Sequence, residues 1–220
     1  YRAKSDCFVA KLSADAKRLV YCTYLGGREN EFAEHQLLLL KDGSVLVTGV
    51  TGSPDFPTTP GAFQRTLKGR TDGFLTKVPA DGKRFVFSTL LGGSGGEFYL
   101  MPTIGPQGNI WMVGSTSSRD FPVTRDALQR KYGGARGRWG GDGALAALSP
   151  DGSRLLYASY LGGRGDDLIR GIAFGPKGAV YLVGSTSSAD FPVTPGSVQP
   201  KLRGKSDAFV VKLVPTGGAR

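Results

Sequence analysis

The chain is poor in the residues that most often carry chemistry. It holds one histidine, two cysteines, two methionines and two tryptophans in 220 residues. A single histidine, His35, argues against a zinc centre, which wants several convergent His or Cys ligands. A serine or cysteine triad would have only His35 to draw on, and no nucleophile stands out near it. No Gly-x-Ser-x-Gly occurs. The run Gly92-Gly93-Ser94-Gly95-Gly96 lacks the Lys-Ser/Thr tail and following helix of a phosphate loop, so it reads as a turn between units. The longest aliphatic run, residues 37–40, is far too short to span a bilayer. No signal-peptide pattern is read at the start, which falls inside a repeat, so any export signal is expected to have been removed or left out.

Cys7 and Cys22 do not fix the redox compartment. They fall on two strands expected to form a hairpin around Asp15. The parity of their numbers suggests one shared face, opposite or diagonal, and two buried thiols are expected in preference to a disulfide.

Apolar residues make up 40% of the chain, enough for a core, which argues against disorder. Glycine (34) and proline (13) are abundant, but they fall at recurring positions and read as turn punctuation. The net charge is +10, which favours anionic partners such as nucleic acid, lipopolysaccharide or acidic glycans. The charges do not gather into one block, so a generally basic surface is expected and specific nucleic-acid binding is not.

The dominant feature is internal repetition. Asp6-Cys7-Phe8-Val9-Ala10-Lys11-Leu12 returns at Asp72, at Asp142 and at Asp207, in steps of 66, 70 and 65 residues. This divides the single 1–220 region into units 6–71, 72–141 and 142–206, with 207–220 opening a fourth copy. Strand-like runs recur at 35–41, 44–51, 72–78 and 84–91, then at 100–105, 109–115, 142–148 and 154–161, then at 169–175, 179–185 and 207–214. Asp42-Gly43, Gln107-Gly108 and Lys177-Gly178 join the first and second runs, and Asp81-Gly82 and Asp151-Gly152 join the third and fourth, as tight hairpins. A longer link follows the second run, containing Asp55-Phe56-Pro57, Asp120-Phe121-Pro122 and Asp190-Phe191-Pro192. Its phenylalanines are expected to pin the link to the sheet, and Thr59, Thr124 and Thr194 to cap one helical turn.

Four antiparallel strands per unit, joined by short loops, is the pattern of a β-propeller blade. The strings Tyr24-Leu25-Gly26-Gly27, Val113-Gly114-Ser115-Thr116, Asp120-Phe121-Pro122-Val123-Thr124 and Asp207-Ala208-Phe209-Val210-Val211-Lys212-Leu213 resemble the bacterial β-propeller repeats called SBBP repeats. Tyr160-Leu161-Gly162-Gly163-Arg164-Gly165-Asp166-Asp167 is the closest stretch. The resemblance covers almost the whole chain. It implies a propeller in an exported or cell-surface bacterial protein, placed in the extracellular space, on the cell surface or in the periplasm. It implies no catalytic activity and no catalytic residues. The first two units depart from its Gly-Asp-Asp string, with Glu29-Asn30-Glu31 and Gly95-Gly96-Glu97, which argues against a shared role for that acidic loop.

Three units are fewer than the four to eight blades of a closed ring. The expected architecture is an all-β propeller arc of about three four-stranded blades, either part of a longer propeller or closed to six blades by a second copy. The former is preferred. Open ends would expose apolar faces, so a protein partner or further blades should cover them.

Two places stand out as candidate sites. The step of 70 comes from the longer link 131–141, where Arg136, Arg138 and Trp139 in a Gly-rich loop suit stacking on sugars or an interface hot spot. Asp166 and Asp167 follow a Gly-rich turn and offer hard oxygen ligands to calcium, though without Asp-x-Asp-x-Asp spacing; no other cofactor is indicated. The three copies show no unique polar cluster, which favours a non-catalytic scaffold or binding module that could serve as a subunit of a larger assembly. The alternative is a propeller hydrolase or lyase acting on anionic polysaccharide with channel carboxylates.

Overall fold

The computed structural model describes residues 5–134 and 140–214, apart from the side chains of residues 34–36. The chain is all-β. Its strands are β1 (Cys7–Leu12), β2 (Leu19–Leu25), β3 (Glu31–Leu39), β4 (Val45–Thr51), β5 (Asp72–Val78), β6 (Phe87–Leu91), β7 (Glu97–Ile104), β8 (Ile110–Thr116), β9 (Asp142–Leu148), β10 (Leu155–Leu161), β11 (Asp167–Phe174), β12 (Val180–Thr186) and β13 (Asp207–Leu213). They form four antiparallel sheets in which each strand pairs with its sequence neighbour: β1-β2, β3 to β6, β7 to β10 and β11 to β13.

The turns follow the residues. Gly43, Gly82, Gly108, Gly152 and Gly178 all take φ between 68° and 78° at the hairpin tips, a region that glycine enters without a Cβ penalty. Ala16 takes φ 57° at the matching tip between β1 and β2. Among the described residues β3 to β13 match the eleven runs read from sequence and β1 and β2 the hairpin expected around Asp15, although β6 starts only at Phe87 and there is one systematic difference. The first strand of each sheet begins earlier, at Glu31, Glu97 and Asp167, and not at residues 35, 100 and 169. Each of these strands carries a register shift, between Ala33 and Leu37, Phe98 and Met101, and Ile169 and Gly171. A bulge breaks the alternation that a sequence reading relies on, so the residues before it looked like loop.

The expected helical turns are also absent. Ala62 N–H donates to Thr59 O, Ala127 to Thr124 O and Ser197 to Thr194 O, each at 3.2 Å, closing four-residue turns. Gly61 (φ 80°) and Gly196 (φ 77°) stand at the third position of two of them, after proline, where a tight turn excludes helix continuation.

Alternation along the central strands places the cores. β4 sends Val45 and Val47 towards β1 and β2, where they meet Cys7, Val9, Leu25, Phe74 and Leu90. It sends Leu46 the other way, to Leu75, Leu91, Leu100, Met112 and Tyr160. β9 does the same, with Ala144, Ala146 and Leu148 in that second core and Leu145 in a third with Val113, Ile169, Leu182 and Phe209. The sheets therefore stack face to face, and the inner two are buried on both sides. Phe56, Phe121 and Phe191 are buried as expected. Phe56 stacks on Phe74 at 4.7 Å, Phe191 on Phe209 at 4.6 Å, and Phe121 lies 5.9 Å from Tyr160.

The register corrects the expectation for the cysteines. Cys7 stands opposite Leu25, and Cys22 stands opposite Ala10. Cross-strand partners share a face and sequence neighbours alternate, so the two cysteines lie on opposite faces of the hairpin. Cys7 is buried and Cys22 is exposed, which excludes a disulfide between them.

Candidate functional site

Every boundary between neighbouring sheets is closed by the same arrangement of carboxylates. The acidic residue opening the first strand of a sheet donates its backbone N–H to a carbonyl of the preceding sheet. Glu31 donates to Ser5 at 3.0 Å, Glu97 to Thr71 at 3.2 Å and Asp167 to Gly141 at 2.8 Å. The residue after each acceptor is an aspartate: Asp6, Asp72 and Asp142. Two carboxylates from two sheets thus meet beside a Gly-Gly turn. All of Glu31, Asp72, Glu97, Asp142 and Asp167 are buried.

The first glycine of each turn leaves the room. A Cβ on Gly26 would stand 2.5 Å from Glu31 Oε2 and 2.7 Å from Asp6 Oδ1. One on Gly162 would stand 2.5 Å from Asp167 Oδ2 and 3.0 Å from Asp142 Oδ1, and one on Gly92 would press on Glu97 Oε2 and lie 2.6 Å from Asp72 Oδ1.

Short-range donors hold each carboxylate. Glu97 Oε1 accepts from Thr116 Oγ1 at 2.8 Å, Ser118 Oγ at 2.6 Å and Gly93 N–H at 3.4 Å. Glu31 accepts from Thr51 at 2.7 Å, Ser53 at 2.5 Å and Gly27 N–H at 3.0 Å. Asp167 accepts from Ser188 and Gly163 N–H, both at 2.8 Å. On the aspartate side, Asp72 accepts from Gln64 Nε2 at 2.6 Å, Lys68 N–H at 2.9 Å and Gly69 N–H at 3.1 Å. Asp142 accepts from Gln129 Nε2 and Gly133 N–H, both at 2.8 Å.

Burial dominates the electrostatics. It pushes the Glu97 carboxyl up to about 8, with the Asp72 charge adding to the effect, and the hydroxyl donors opposing it. It pushes Asp142 up to about 6, with Asp167 adding, and raises Asp72 and Asp167 as well. Taking a carboxylate out of water disfavours its charge, and a second carboxylate nearby disfavours it further. Besides its backbone hydrogen bond, Lys68 acts on Asp72 through its side-chain charge, which lowers the shift without forming an ion pair with it. The ion pairs Arg28–Asp55, Lys77–Asp42 and Arg164–Asp190 lie at the surface and reach none of these groups.

Asp166 and Asp167, taken together from sequence as a calcium candidate, do not act together. Asp166 N–H donates to Ser187 Oγ at 2.8 Å at the surface, whereas Asp167 turns inward to face Asp142 of the preceding sheet. No group of three or more His, Cys, Asp or Glu able to hold a metal gathers among the described residues. Arg136, Arg138 and Trp139 lie outside the described residues, as does the side chain of His35. The aspartates of the Asp-Phe-Pro strings anchor the Gly-Gly turns: Asp55 accepts from Arg28 N–H at 3.0 Å, and Asp120 and Asp190 accept from Ser94 and Arg164 N–H at 2.8 Å.

Contrary to expectation, the acidic loop does the same thing in all three copies. Glu31, Glu97 and Asp167 occupy one equivalent place, each bonded to the carbonyl before an aspartate. The signal was the spacing from the second glycine of each Gly-Gly pair, four residues in all three copies, and not the identity of the flanking acids. Among the described residues no helix is long and apolar enough to cross a membrane. The chain matches no protein-family model and no curated protein.

Proposed function

We propose that the chain is an arc of a β-propeller serving as a non-catalytic scaffold or binding module of an exported or cell-surface bacterial protein, of the SBBP-repeat type. The observation that carries this reading is the stack of antiparallel meander sheets joined by one recurring junction. A unique polar cluster is what an active site would need, and the carboxylates with the largest upward shifts, Glu97 and Asp142, are buried between sheets where a polysaccharide has no access.

The end sheets support a role for a neighbour. In β1-β2, Phe8 is 68% and Tyr24 62% exposed, whereas Phe74 and Leu90, at the same places of the next sheet, are buried. At the other end Val210 is 76% exposed, while its counterparts Leu75 and Leu145 are buried. An open groove of about 600 Å³ runs between residues 191–202 and β13. In the two inner sheets the fourth strand lies there, with Ser88 and Ala158 bonded to Thr59 and Thr124. Further sheets or a protein partner would cover these surfaces.

Light scattering of the purified chain tests the reading. Self-association or aggregation that Phe8→Ser and Val210→Ser together suppress is expected. A well-behaved monomer over a wide concentration range would overturn it.

A further inference from the structure

The junctions hold more negative charge than their surroundings neutralise. Glu97 Oε2 is fully buried and makes no hydrogen bond, and it faces Asp72 Oδ1 across the position that a Gly92 side chain would fill. Asp142 Oδ1 is likewise buried without a hydrogen bond and faces Asp167 across Gly162. Neither pair has an ion-pair partner among the described residues. A buried charge left unpaired is strongly destabilising.

Either a proton or a cation would relieve each pair. The donor pattern favours the cation. Three donors crowd onto Glu97 Oε1 and three onto the Asp72 carboxylate, an environment built for ionised groups. At each of these two junctions one bare oxygen, Glu97 Oε2 or Asp142 Oδ1, faces an oxygen of the other carboxylate that already accepts from protein donors, Asp72 Oδ1 from Gly69 N–H and Asp167 Oδ2 from Ser188 and Gly163. The surroundings offer oxygen and no sulfur or imidazole, which suits a hard cation and not zinc or copper.

We propose that two of the inter-sheet junctions each bind one hard cation of the calcium class, held between Asp72 and Glu97 at one and between Asp142 and Asp167 at the next. The cation joins carboxylates from two sheets, so binding fastens neighbouring sheets together. Site formation uses Asp167 with a residue of the preceding sheet, and Asp166 takes no part.

The test uses the whole chain, stripped with a chelator and titrated with CaCl2 by calorimetry and by thermal unfolding. Saturable binding and a rise in melting temperature are expected, with NaCl at matched ionic strength giving neither. Glu97→Gln and Asp142→Asn should each remove one equivalent of calcium, and the surface change Asp55→Asn none. Terbium luminescence on the unmodified chain provides a readout that does not need the variants to fold. Tyr160, whose phenol feels the charges of Asp142 and Glu97, should sensitise emission that calcium displaces. No saturable binding, binding that survives both substitutions, or a shift that NaCl reproduces would each overturn the proposal. In the last case the carboxylates share a proton instead.

Discussion

Gln64 and Asp72 are joined by a 2.6 Å hydrogen bond from Nε2 to Oδ2, and the same amide accepts the N–H of Gly92 at 3.1 Å through its oxygen. One side chain thus ties the link, the third strand and the Gly-Gly turn together. Gln129 repeats this with Asp142 at 2.8 Å and Gly162 N–H at 3.0 Å. Gln64→Leu leaves a buried carboxylate short of a donor and a buried N–H unpaired. The expected loss is about 2–4 kcal/mol, since each orphaned buried group costs roughly 1–3 kcal/mol. Gln199→Leu is the control, because its 2.9 Å bond to Asp207 is exposed, and it should cost less than about 1 kcal/mol. Urea unfolding of the two variants measures both, and equal losses would contradict the junction role.

The sheets were legible from the sequence because their strands alternate and their turns carry glycine at the tips. The junctions were not. The bulges in β3, β7 and β11 hid the strand starts, so Glu31, Glu97 and Asp167 read as loop acids. Their aspartate partners sit 25 residues away in all three cases, 6 with 31, 72 with 97 and 142 with 167, and no local motif links positions that far apart. The recurrence of Asp at the head of each motif copy was visible; its meaning needed the stacking of sheets. Parity of numbering misplaced Cys22, because the face a strand residue takes depends on hairpin register, which shifts by a residue near the turn.

Gly92 and Gly61 separate space from backbone strain. Gly61 has φ 80° and nothing within 4 Å of where a methyl would stand, so Gly61→Ala should cost about 1 kcal/mol from conformation alone. Gly92 has no positive φ, but a methyl there collides with Glu97 Oε2 and Asp72 Oδ1. Gly92→Ala should cost about 2–3 kcal/mol, as overpacking of a fixed interior does. Thermal unfolding of the two variants gives the order, and a smaller loss at Gly92 would show that the carboxylates move aside freely.

The cysteines should react at very different rates. Cys22 is exposed on the open face of β1-β2, and Cys7 is 5% exposed in the first core. A thiol reagent under native conditions should label Cys22 at once and Cys7 only after denaturant is added. Cys22→Ser should leave stability within about 0.5 kcal/mol, as surface substitutions do. Mass spectrometry of the labelled chain reads the stoichiometry, and two fast labels would contradict the burial of β1 against the second sheet.

In calcium-free buffer, stability should rise as the pH falls from about 8 towards 4.5, opposite to the usual trend for carboxylates. Burial and the facing Asp72 raise Glu97 from 4.5 to about 8 in the folded chain. Between those values the folded state holds a proton that the unfolded state has released. Stability then falls with rising pH, because its slope follows the excess of protons bound by the unfolded state. Asp142, raised to about 6 by burial and by Asp167, adds a second contribution between 3.8 and about 6. Each pKa unit corresponds to about 1.4 kcal/mol, so Glu97 contributes a few kcal/mol at most. Glu97→Gln cannot titrate, and it should flatten the dependence above pH 6 while leaving the lower range to Asp142. Urea unfolding at intervals between pH 5 and 8.5 compares the two chains. A slope unchanged by the substitution would show that Glu97 is ionised throughout and that its charge is neutralised by some other group.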